Sequence, residues 1–287
     1  MGRTIGDREA DAILRRYMEL GGNTLDTARL YADGESERLL GRWFAQSGKR
    51  EELILITKGG HPRMDSMHTG RMNETEMRRD LEESLRALKT DHIDLYFFHR
   101  DDLSQSVAES LEIMEQFVQE GKIRWYGCSN WTAVRIREAL DYSEAHGLQG
   151  FAANQMLFNL GAAHMKPFPD DTMCTMDDET AQLHRERSIL CMPYFSVCSG
   201  FFHKLRAGGE EAVRESPYYS QENLALARQV FHLAEEYHTS VTNVLLRFFF
   251  AQDFDSCPLY GPSRPEQLED LQGLFELTIP REEFELP

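Results

Sequence analysis

The chain has 287 residues, of which 41% are hydrophobic and 28% are charged, a balance that favours a folded core over wholesale disorder. Its 31 basic and 48 acidic residues give a formal net charge of −17, which argues against nucleic acid or an anionic membrane surface as a partner. No apolar run reaches the length of a membrane span and the N-terminus has no apolar signal core. The five cysteines form no C-x-x-C pair, so we expect a cytoplasmic chain with reduced thiols and no zinc site.

Helical and strand-like patterns alternate along the chain. The strands are predicted at Thr24–Asp26, Glu52–Lys58, Ile93–His99, Ile123–Asn130, Phe151–Met156, Ile189–Tyr194 and Cys257–Tyr260. The helices are predicted at 8–20, 36–46, 73–88, 106–120, 132–146, 178–187, 220–237, 241–252 and from Pro265 to about Leu274. Residues 198–219 contain Gly208, Gly209 and Pro217 and are interpreted as a loop or lid.

This alternation is typical of parallel β/α units. The first strand is not followed by G-x-G-x-x-G, which disfavours a doubly wound dinucleotide-binding sheet. We therefore predict one α/β domain over residues 1–287, a (β/α)8 TIM barrel. Only seven of its eight strands are evident, because no strand precedes residue 8.

Polar side chains stand at nearly every predicted strand end, and in a barrel these ends face one mouth. In chain order they are Asp26 with Tyr31, Lys58, His99, Ser129 with Asn130, Gln155, Tyr194, and the run Gly261-Pro-Ser263-Arg264. Each residue alone has an ordinary structural explanation, such as a helix cap or a solvated lysine. Chance is a poorer explanation for the whole set than for any one member.

The set suits hydride transfer to a carbonyl. Negative charge develops on the carbonyl oxygen and a general acid must supply a proton. The phenol of Tyr31 can do so if the ammonium of Lys58 stabilises the tyrosinate, and a buried lysine in turn needs a carboxylate, here Asp26. His99 can donate a hydrogen bond that orients the carbonyl.

The remaining strand ends suit a cofactor. Ser129, Asn130 and Gln155 carry hydroxyl and amide groups that can read a carboxamide such as that of nicotinamide, and Tyr194 can stack on a flat ring. Ser263-Arg264 precedes a predicted helix, where backbone N–H groups and the guanidinium would converge on a phosphate.

The sequence resembles the aldo-keto reductase family from about residue 7 to residue 275. The motifs are Gly22-Asn-x2-Asp26-Thr-Ala-x2-Tyr31-x2-Gly-x-Ser36-Glu37, Ile56-Thr-Lys58, Asp94-Leu-x3-His99, Gly121-Lys-Ile-Arg-x2-Gly127-x-Ser129-Asn130, Gln155-x3-Asn159 and Gly261-x-Ser263-x2-Glu266-Gln267-Leu268. The resemblance implies a barrel that binds NADP(H) and reduces small-molecule aldehydes or ketones.

The resemblance also implies a role for each matching residue. Tyr31 is the proton donor, Lys58 and Asp26 are its charge partners, and His99 orients the carbonyl. Ser129, Asn130 and Gln155 contact the nicotinamide amide, and Tyr194 stacks on the nicotinamide. The residues implied to bind the adenosine-phosphate end of NADP(H) are Gly261, Ser263, Arg264 and Gln267.

The chain departs from the family pattern in three places. The N-terminal hairpin and first strand are absent, so we expect the chain as it stands to be unstable or inactive, and restored upstream codons to raise soluble yield. Asp270-Leu271 replaces the Glu-Asn that the family often places against adenine. The C-terminal loop that shapes substrate pockets in longer members is short here.

Other interpretations stay open at this point. One is a cofactor-binding regulatory or redox-sensing subunit with little turnover, as in the family's potassium-channel β-subunit branch. Another is an aldolase that forms a Schiff base on Lys58, which would leave Gln155 and Arg264 without a role. Polar loops such as Gly59–Arg63 favour a hydroxylated, sugar-like carbonyl. A metal site is disfavoured, because no carboxylate or cysteine lies at metal-ligand spacing from His61 or His68 in the sequence.

Overall fold

The structure is a computed structural model that describes residues 5–284. The chain forms two compact units, the first running to Asn154 and including Ser263–Pro265, the second comprising Gln155–Pro262 and the residues from Glu266 onwards. The predicted single domain over 1–287 extends past the described residues at both ends and stays a prediction.

The strands form a six-stranded sheet in chain order. They are β1 (Thr24–Asp26), β2 (Ile54–Gly59), β3 (Ile93–Phe98), β4 (Ile123–Ser129), β5 (Phe151–Gln155) and β6 (Leu190–Cys191). The pairs from β1 to β4 are parallel, with Asp26 opposite Ile56 and Lys58 opposite Phe97. The predicted parallel α/β architecture is therefore confirmed.

Helices separate the strands. The first unit contains α1 (Asp7–Glu19), α2 (Glu35–Ser47), α3 (Glu74–Leu88), α4 (Val107–Gln119) and α5 (Ala133–His146), with short 3-10 turns at Tyr31–Gly34 and Arg50–Glu52. The second unit contains α6 (Asp178–Glu186), α7 (Phe201–Gly208), α8 (Gln221–Glu236), α9 (Val241–Phe250) and α10 (Glu266–Glu269). Its 3-10 turns are Ala162–His164, Cys198–Gly200, Glu210–Val213 and Arg281–Phe284.

Local chemistry fixes where the helices of the first unit begin. The side chain of Asn73 accepts a hydrogen bond from the Glu76 N–H at 3.1 Å. Ser106 and Glu109 form a reciprocal capping box at the start of α4. Each cap satisfies backbone N–H groups that a helix leaves without partners, and so holds the loop that follows the preceding strand.

The core of the first unit lies around β2 and β3. Residues 55–60 are all buried, as the continuous apolar run predicts for a strand covered on both faces. Close packing between strands also requires Gly127 on β4, because a Cβ there would lie 2.4 Å from the Ala153 carbonyl oxygen and 2.6 Å from the Phe97 ring. Strand ends held this tightly form a rigid platform for the side chains beyond them.

The second unit has its own core, built mainly from α7, α8 and α9. Phe201, Phe202, Tyr218, Val230 and Val244 belong to one buried cluster there. All five cysteines of the chain are free, as predicted, although Cys257 is exposed. Within residues 5–284, no helix is both long enough and apolar enough to cross a membrane.

The structure differs from the prediction in three respects, and the first two concern strands. The predicted seventh strand, Cys257–Tyr260, is not a strand. The Cys257 and Leu259 N–H groups donate to the Cys191 and Pro193 carbonyls at 2.8 Å each, but Pro193 has no N–H with which to return a bond, and the pairing with β6 stays an isolated Cys191–Ser256 bridge. The described residues therefore hold six strands rather than seven. The predicted strand Ile189–Tyr194 shortens to two residues because Pro193 interrupts it.

The third difference concerns helices. Residues 198–219 are not an open loop, because α7 lies within them and buries Phe201 and Phe202. The predicted last helix, Pro265 to Leu274, shortens to the four residues of α10. Gly273, at φ +76°, gives the chain a left-handed backbone conformation that an α-helix cannot contain.

Candidate active site

The ends of three neighbouring strands in the first unit bring the predicted catalytic residues together. Asp26 ends β1 and Lys58 lies one residue before the end of β2. His99 directly follows β3, and its N–H donates to the Gly59 carbonyl at 2.9 Å, which continues the β2–β3 ladder by one step. The parallel register therefore places all three side chains at one edge of the sheet.

Lys58 is a buried cation with a partly buried carboxylate beside it. Its Nζ donates to Asp26 Oδ1 at 2.6 Å and to the Thr27 carbonyl at 2.7 Å. The lysine is only 1% exposed, so an unpaired ammonium there would be strongly unfavourable. The pairing of Lys58 with Asp26 that the sequence predicts is therefore present.

Tyr31 lies above this pair and reaches solvent. Its ring centroid is 4.9 Å from Lys58 Nζ and its side chain is 40% exposed. The N–H of Tyr31 donates to the Ala28 carbonyl at 3.0 Å, and the next two residues, Ala32 and Asp33, have φ of +53° and +55°. Left-handed conformations at two non-glycine residues are unfavourable, so the surrounding contacts hold this turn and fix the phenol over Lys58.

Lys58 stays charged at neutral pH. Burial by itself would lower the pKa of Lys58, but the charge of Asp26 and the interaction with Tyr31 outweigh it and raise that pKa above its ordinary value. A cation fixed beside a phenol stabilises the phenolate, which is the form that tyrosine takes after it has given up a proton.

His99 is a neutral imidazole. Burial first, and then the positive charge of Lys58, hold the pKa of His99 well below its usual range, with smaller contributions from His61 and Arg100. Its ring lies edge-on to the Tyr31 ring with centroids 5.7 Å apart. His99 Nδ1 is buried with no hydrogen-bond partner among residues 5–284, which is unusual for a buried polar atom.

His61 is a residue whose place the sequence did not reveal. Its buried ring lies 4.8 Å from the His99 ring, centroid to centroid, also edge-on. Its Nδ1 lies 2.6 Å from the Pro62 carbonyl oxygen, which can only accept, so Nδ1 carries a hydrogen. The only sequence signal was its position three residues after Lys58, in a loop with no periodicity.

Ser129 and Asn130 lie directly beside His99. Both are buried, and Asn130 Nδ2 donates to Ser129 Oγ at 3.0 Å and to the His99 carbonyl at 3.4 Å. Arg100 Nη1 donates to the same carbonyl at 2.9 Å. Asn130 has φ +62°, a conformation that asparagine tolerates better than most residues. The hydroxyl and amide predicted to read a carboxamide are thus grouped with the predicted catalytic residues.

The other predicted cofactor residues lie elsewhere in the chain. Ser263 and Arg264 are exposed and belong to the first unit by their contacts. Gln155, Tyr194, Gly261 and Gln267 belong to the second unit. Gln155 ends β5 and is buried, Tyr194 donates its N–H to the Met156 carbonyl at 3.1 Å, and Gln267 accepts from the Tyr260 hydroxyl at 3.2 Å. Their grouping with the first-unit residues stays a prediction.

The donor set fits a nicotinamide cofactor and a carbonyl. The buried hydroxyl of Ser129 and amide of Asn130 offer both donors and acceptors, and Asn130 bonds to the His99 carbonyl. Within residues 5–284, no three histidine, cysteine or acidic side chains come together as metal ligands.

Comparison with known proteins gives a consistent result. Residues 2–286 match the Aldo/keto reductase family. An aryl-alcohol dehydrogenase of Pestalotiopsis microspora is 25% identical over 275 residues, 93% of this chain and 68% of that protein. A norsolorinic acid reductase of Emericella nidulans is 27% identical, again over 93% of this chain and 68% of the relative. An aldo-keto reductase of Schizosaccharomyces pombe, named with NADP(+), is 26% identical over 93% of this chain and 78% of its own length.

Proposed function

We propose that this chain, which belongs to the aldo/keto reductase family, reduces an aldehyde or ketone to an alcohol with hydride from NADPH and with Tyr31 as proton donor. The observation that carries the proposal is the buried Lys58, held between the carboxylate of Asp26 and the exposed phenol of Tyr31. An oxidoreductase acting on carbonyls agrees with the names of its relatives. Family membership also supports the prediction of a (β/α)8 barrel.

The proton moves through Tyr31. As hydride reaches the carbonyl carbon, the carbonyl oxygen gains negative charge and takes the phenolic proton. The tyrosinate that remains lies beside the Lys58 ammonium, whose own charge is held by Asp26. Because the Tyr31 side chain is 40% exposed, water can return the proton before the next turnover.

His99 orients the carbonyl. A neutral imidazole has one N–H to donate and one lone pair to accept with, and burial keeps this ring neutral. Its ring lies edge-on to the Tyr31 ring with centroids 5.7 Å apart, which supports a hydrogen bond between the imidazole and a carbonyl bound beside Tyr31. His61 lies at 4.8 Å, centroid to centroid, and limits the space in which the His99 ring can turn.

The cofactor, when bound, supplies the hydride. Ser129, Asn130 and Gln155 would hold its carboxamide, and Tyr194 would stack on its nicotinamide ring. Gly261, Ser263, Arg264 and Gln267 would hold the adenosine-phosphate end, where the exposed guanidinium of Arg264 suits the additional phosphate of NADP. The Schizosaccharomyces pombe relative carries NADP(+) in its name, which supports NADP over NAD as the cofactor.

The charge state of Lys58 disfavours the aldolase alternative. A lysine that forms a Schiff base must lose its proton at neutral pH, usually through a lowered pKa. Here Asp26 and Tyr31 raise the pKa of Lys58 despite burial. The regulatory-subunit alternative is distinguished by turnover, since it requires tight cofactor binding without steady consumption of NADPH.

The test is a Tyr31→Phe variant assayed for NADPH consumption with a panel of aromatic, aliphatic and sugar aldehydes. We expect a fall in kcat of about 10²-fold or more with cofactor affinity retained, because general acid catalysis contributes about 10²–10⁴-fold. Tyr142→Phe, on α5, is the matched control and should keep wild-type rates. An unchanged rate in Tyr31→Phe overturns the proton-donor role, and NADPH binding without turnover on any aldehyde favours the regulatory subunit. The panel also tests the sugar-like substrate predicted from the polar loops.

A further inference from the structure

An open cavity of about 560 Å³ lies in the first unit, against α2 and α3 and outside the strand-end group. Its charged lining residues are Arg29, Arg38, Arg42, Glu83, Arg86 and Lys89. Cavities of roughly 300–1,000 Å³ hold small-molecule ligands, so this volume has room for one.

The lining of this cavity, hereafter the α2–α3 cavity, is strongly cationic. Five basic side chains face one acidic side chain, a balance of 5 − 1 = +4, in a chain whose formal net charge is −17. Two more carboxylates, Glu35 and Asp7, pair with its arginines and reduce the balance to 5 − 3 = +2. The excess positive charge is local, so it marks this cavity as a place for an anion.

Three of the five cations are held in place by carboxylates. Arg29 donates twice to Glu83, at 2.6 and 2.8 Å. Arg38 pairs with Glu35 at 2.7 Å, and Arg42 with Asp7 at 2.7 Å. These pairs fix the direction of the guanidinium groups and leave further N–H donors on each of them, because a guanidinium has five.

Arg86 and Lys89 differ from the other three. Both are exposed, and neither forms an ion pair with any residue between 5 and 284. They lie in and just after the last turn of α3, where cations also favour the negative end of the helix dipole. That dipole effect explains the positive charge but not the backbone conformation of Lys89.

Lys89 has φ +55°, in the left-handed region that follows many helices. Glycine is the usual residue at such a position, because any side chain there is strained. A strained non-glycine residue is a reason to look for a role of its side chain. Here that side chain lines the α2–α3 cavity.

We propose that the α2–α3 cavity binds a small molecule that carries phosphate groups. Arginine forks match the paired oxygens of a phosphate, and lysine adds a compact point charge. Because the excess charge is at least +2, a diphosphate-sized group fits better than a single monoanion. Arg86 and Lys89 supply the charges that no protein carboxylate neutralises. This proposal does not depend on the carbonyl-reductase function.

The experiment is calorimetric titration of the full chain with inorganic pyrophosphate at low salt. We expect saturable binding that weakens by about tenfold or more in Arg86→Gln/Lys89→Gln, because two charge-assisted contacts are lost. Lys204→Gln/Arg206→Gln, on α7, removes the same charge elsewhere and should bind as the wild type does. Absence of saturable binding, or equal affinity in both double variants, overturns the proposal. So does loss of binding in Arg264→Gln together with full binding in Arg86→Gln/Lys89→Gln, since the anion would then occupy the proposed cofactor site.

A second variant separates binding from folding. Lys89→Gly removes the ammonium and also relieves the left-handed strain, so the melting temperature should rise while pyrophosphate affinity falls. A fall in affinity in a more stable protein cannot come from unfolding. Unchanged affinity in Lys89→Gly assigns Lys89 to the helix end alone and overturns its role in the cavity.

Discussion

Asp26→Asn is the change that isolates the buried charge pair. It keeps the shape of the side chain and removes the carboxylate that lies 2.6 Å from Lys58 Nζ. Lys58 is 1% exposed and would keep only neutral acceptors, the amide oxygen of the new asparagine and the Thr27 carbonyl at 2.7 Å. A charge pair at this separation attracts by about 6 kcal/mol at an effective dielectric constant of about 20. Desolvation of both groups offsets part of that attraction.

The expected loss is therefore about 3–5 kcal/mol of unfolding free energy, the range found when one partner of a buried pair is removed. Such a loss is a large fraction of the roughly 5–15 kcal/mol that stabilises a typical domain. Urea unfolding followed by circular dichroism measures it. Asp33→Asn is the matched control, because Asp33 is exposed and asparagine tolerates its φ of +55°. A loss below about 1 kcal/mol in Asp26→Asn, as for an exposed pair, contradicts the buried-pair argument.

The pH dependence of the unfolding free energy gives an independent test of the Lys58–Asp26 pair. In the wild type the folded pKa of Lys58 is raised above its unfolded value near 10.4, so the stabilisation is complete below about pH 10.4 and is lost as pH rises through the folded pKa. In Asp26→Asn, burial acts with less opposition and should bring the folded pKa of Lys58 below its unfolded value. Stability should then increase with pH up to about 10.4. The same slope in both proteins contradicts the argument.

Removal of both charges separates stability from chemistry. Asp26→Asn/Lys58→Met replaces the ammonium by an apolar side chain of similar length, and such replacements of buried ion pairs are often neutral or stabilising. We expect unfolding free energy within about 2 kcal/mol of the wild type. The double variant should nevertheless fail to reduce aldehydes, because the tyrosinate of Tyr31 would have no cation beside it.

Three further predictions concern the same unit. His99→Asn should lower kcat/KM for aldehydes by about 10²-fold in a steady-state assay. The same variant should lose less stability in acid, because the lowered pKa of His99 makes the wild-type protein less stable as pH falls below about 6.5. Burial raises the pKa of Glu37, whose Oε1 accepts a hydrogen bond from Thr57 Oγ1 at 2.7 Å. The unfolding free energy should therefore fall as pH rises above about 4.3. Glu37→Gln should abolish that pH dependence in urea titrations at several pH values. Gly127→Ala should lower the unfolding free energy by about 1–3 kcal/mol in the same assay, because its Cβ would lie 2.4 Å from the Ala153 carbonyl oxygen.

Much of the first unit could be predicted because its signals are local. The buried run of β2 and the capping residues before α3 and α4 fix their elements within one or two residues. The pairing of Lys58 with Asp26 followed from strand order alone, since parallel strands end at one edge. In these cases a short stretch of sequence carries the physics that decides the structure.

The rest depended on contacts between distant residues. Gly208-Gly209 led to the prediction of a loop over residues 198–219. In the structure Phe201 and Phe202 pack into the core of the second unit, and this burial stabilises a helix there. Pro193 has no N–H to donate to the segment that follows Asp255, so β6 stays short and its pairing with that segment stays incomplete. His61 gained its place only when a non-periodic loop folded against His99.

One buried cation lies close to both the predicted proton donor and its neighbouring histidine. Lys58 Nζ is 4.9 Å from the centroid of the Tyr31 ring, and after burial its charge is the largest influence that lowers the pKa of His99. A phenol that gives up its proton and an imidazole that stays neutral both benefit from a positive charge, because a cation favours the deprotonated form of each group. The single ammonium of Lys58 supplies that charge to both, provided that Asp26 keeps it charged in a place where burial alone would not. The carboxylate on β1 therefore acts on the substrate only through Lys58, which makes it the residue whose loss should disturb stability, proton donation and histidine neutrality together.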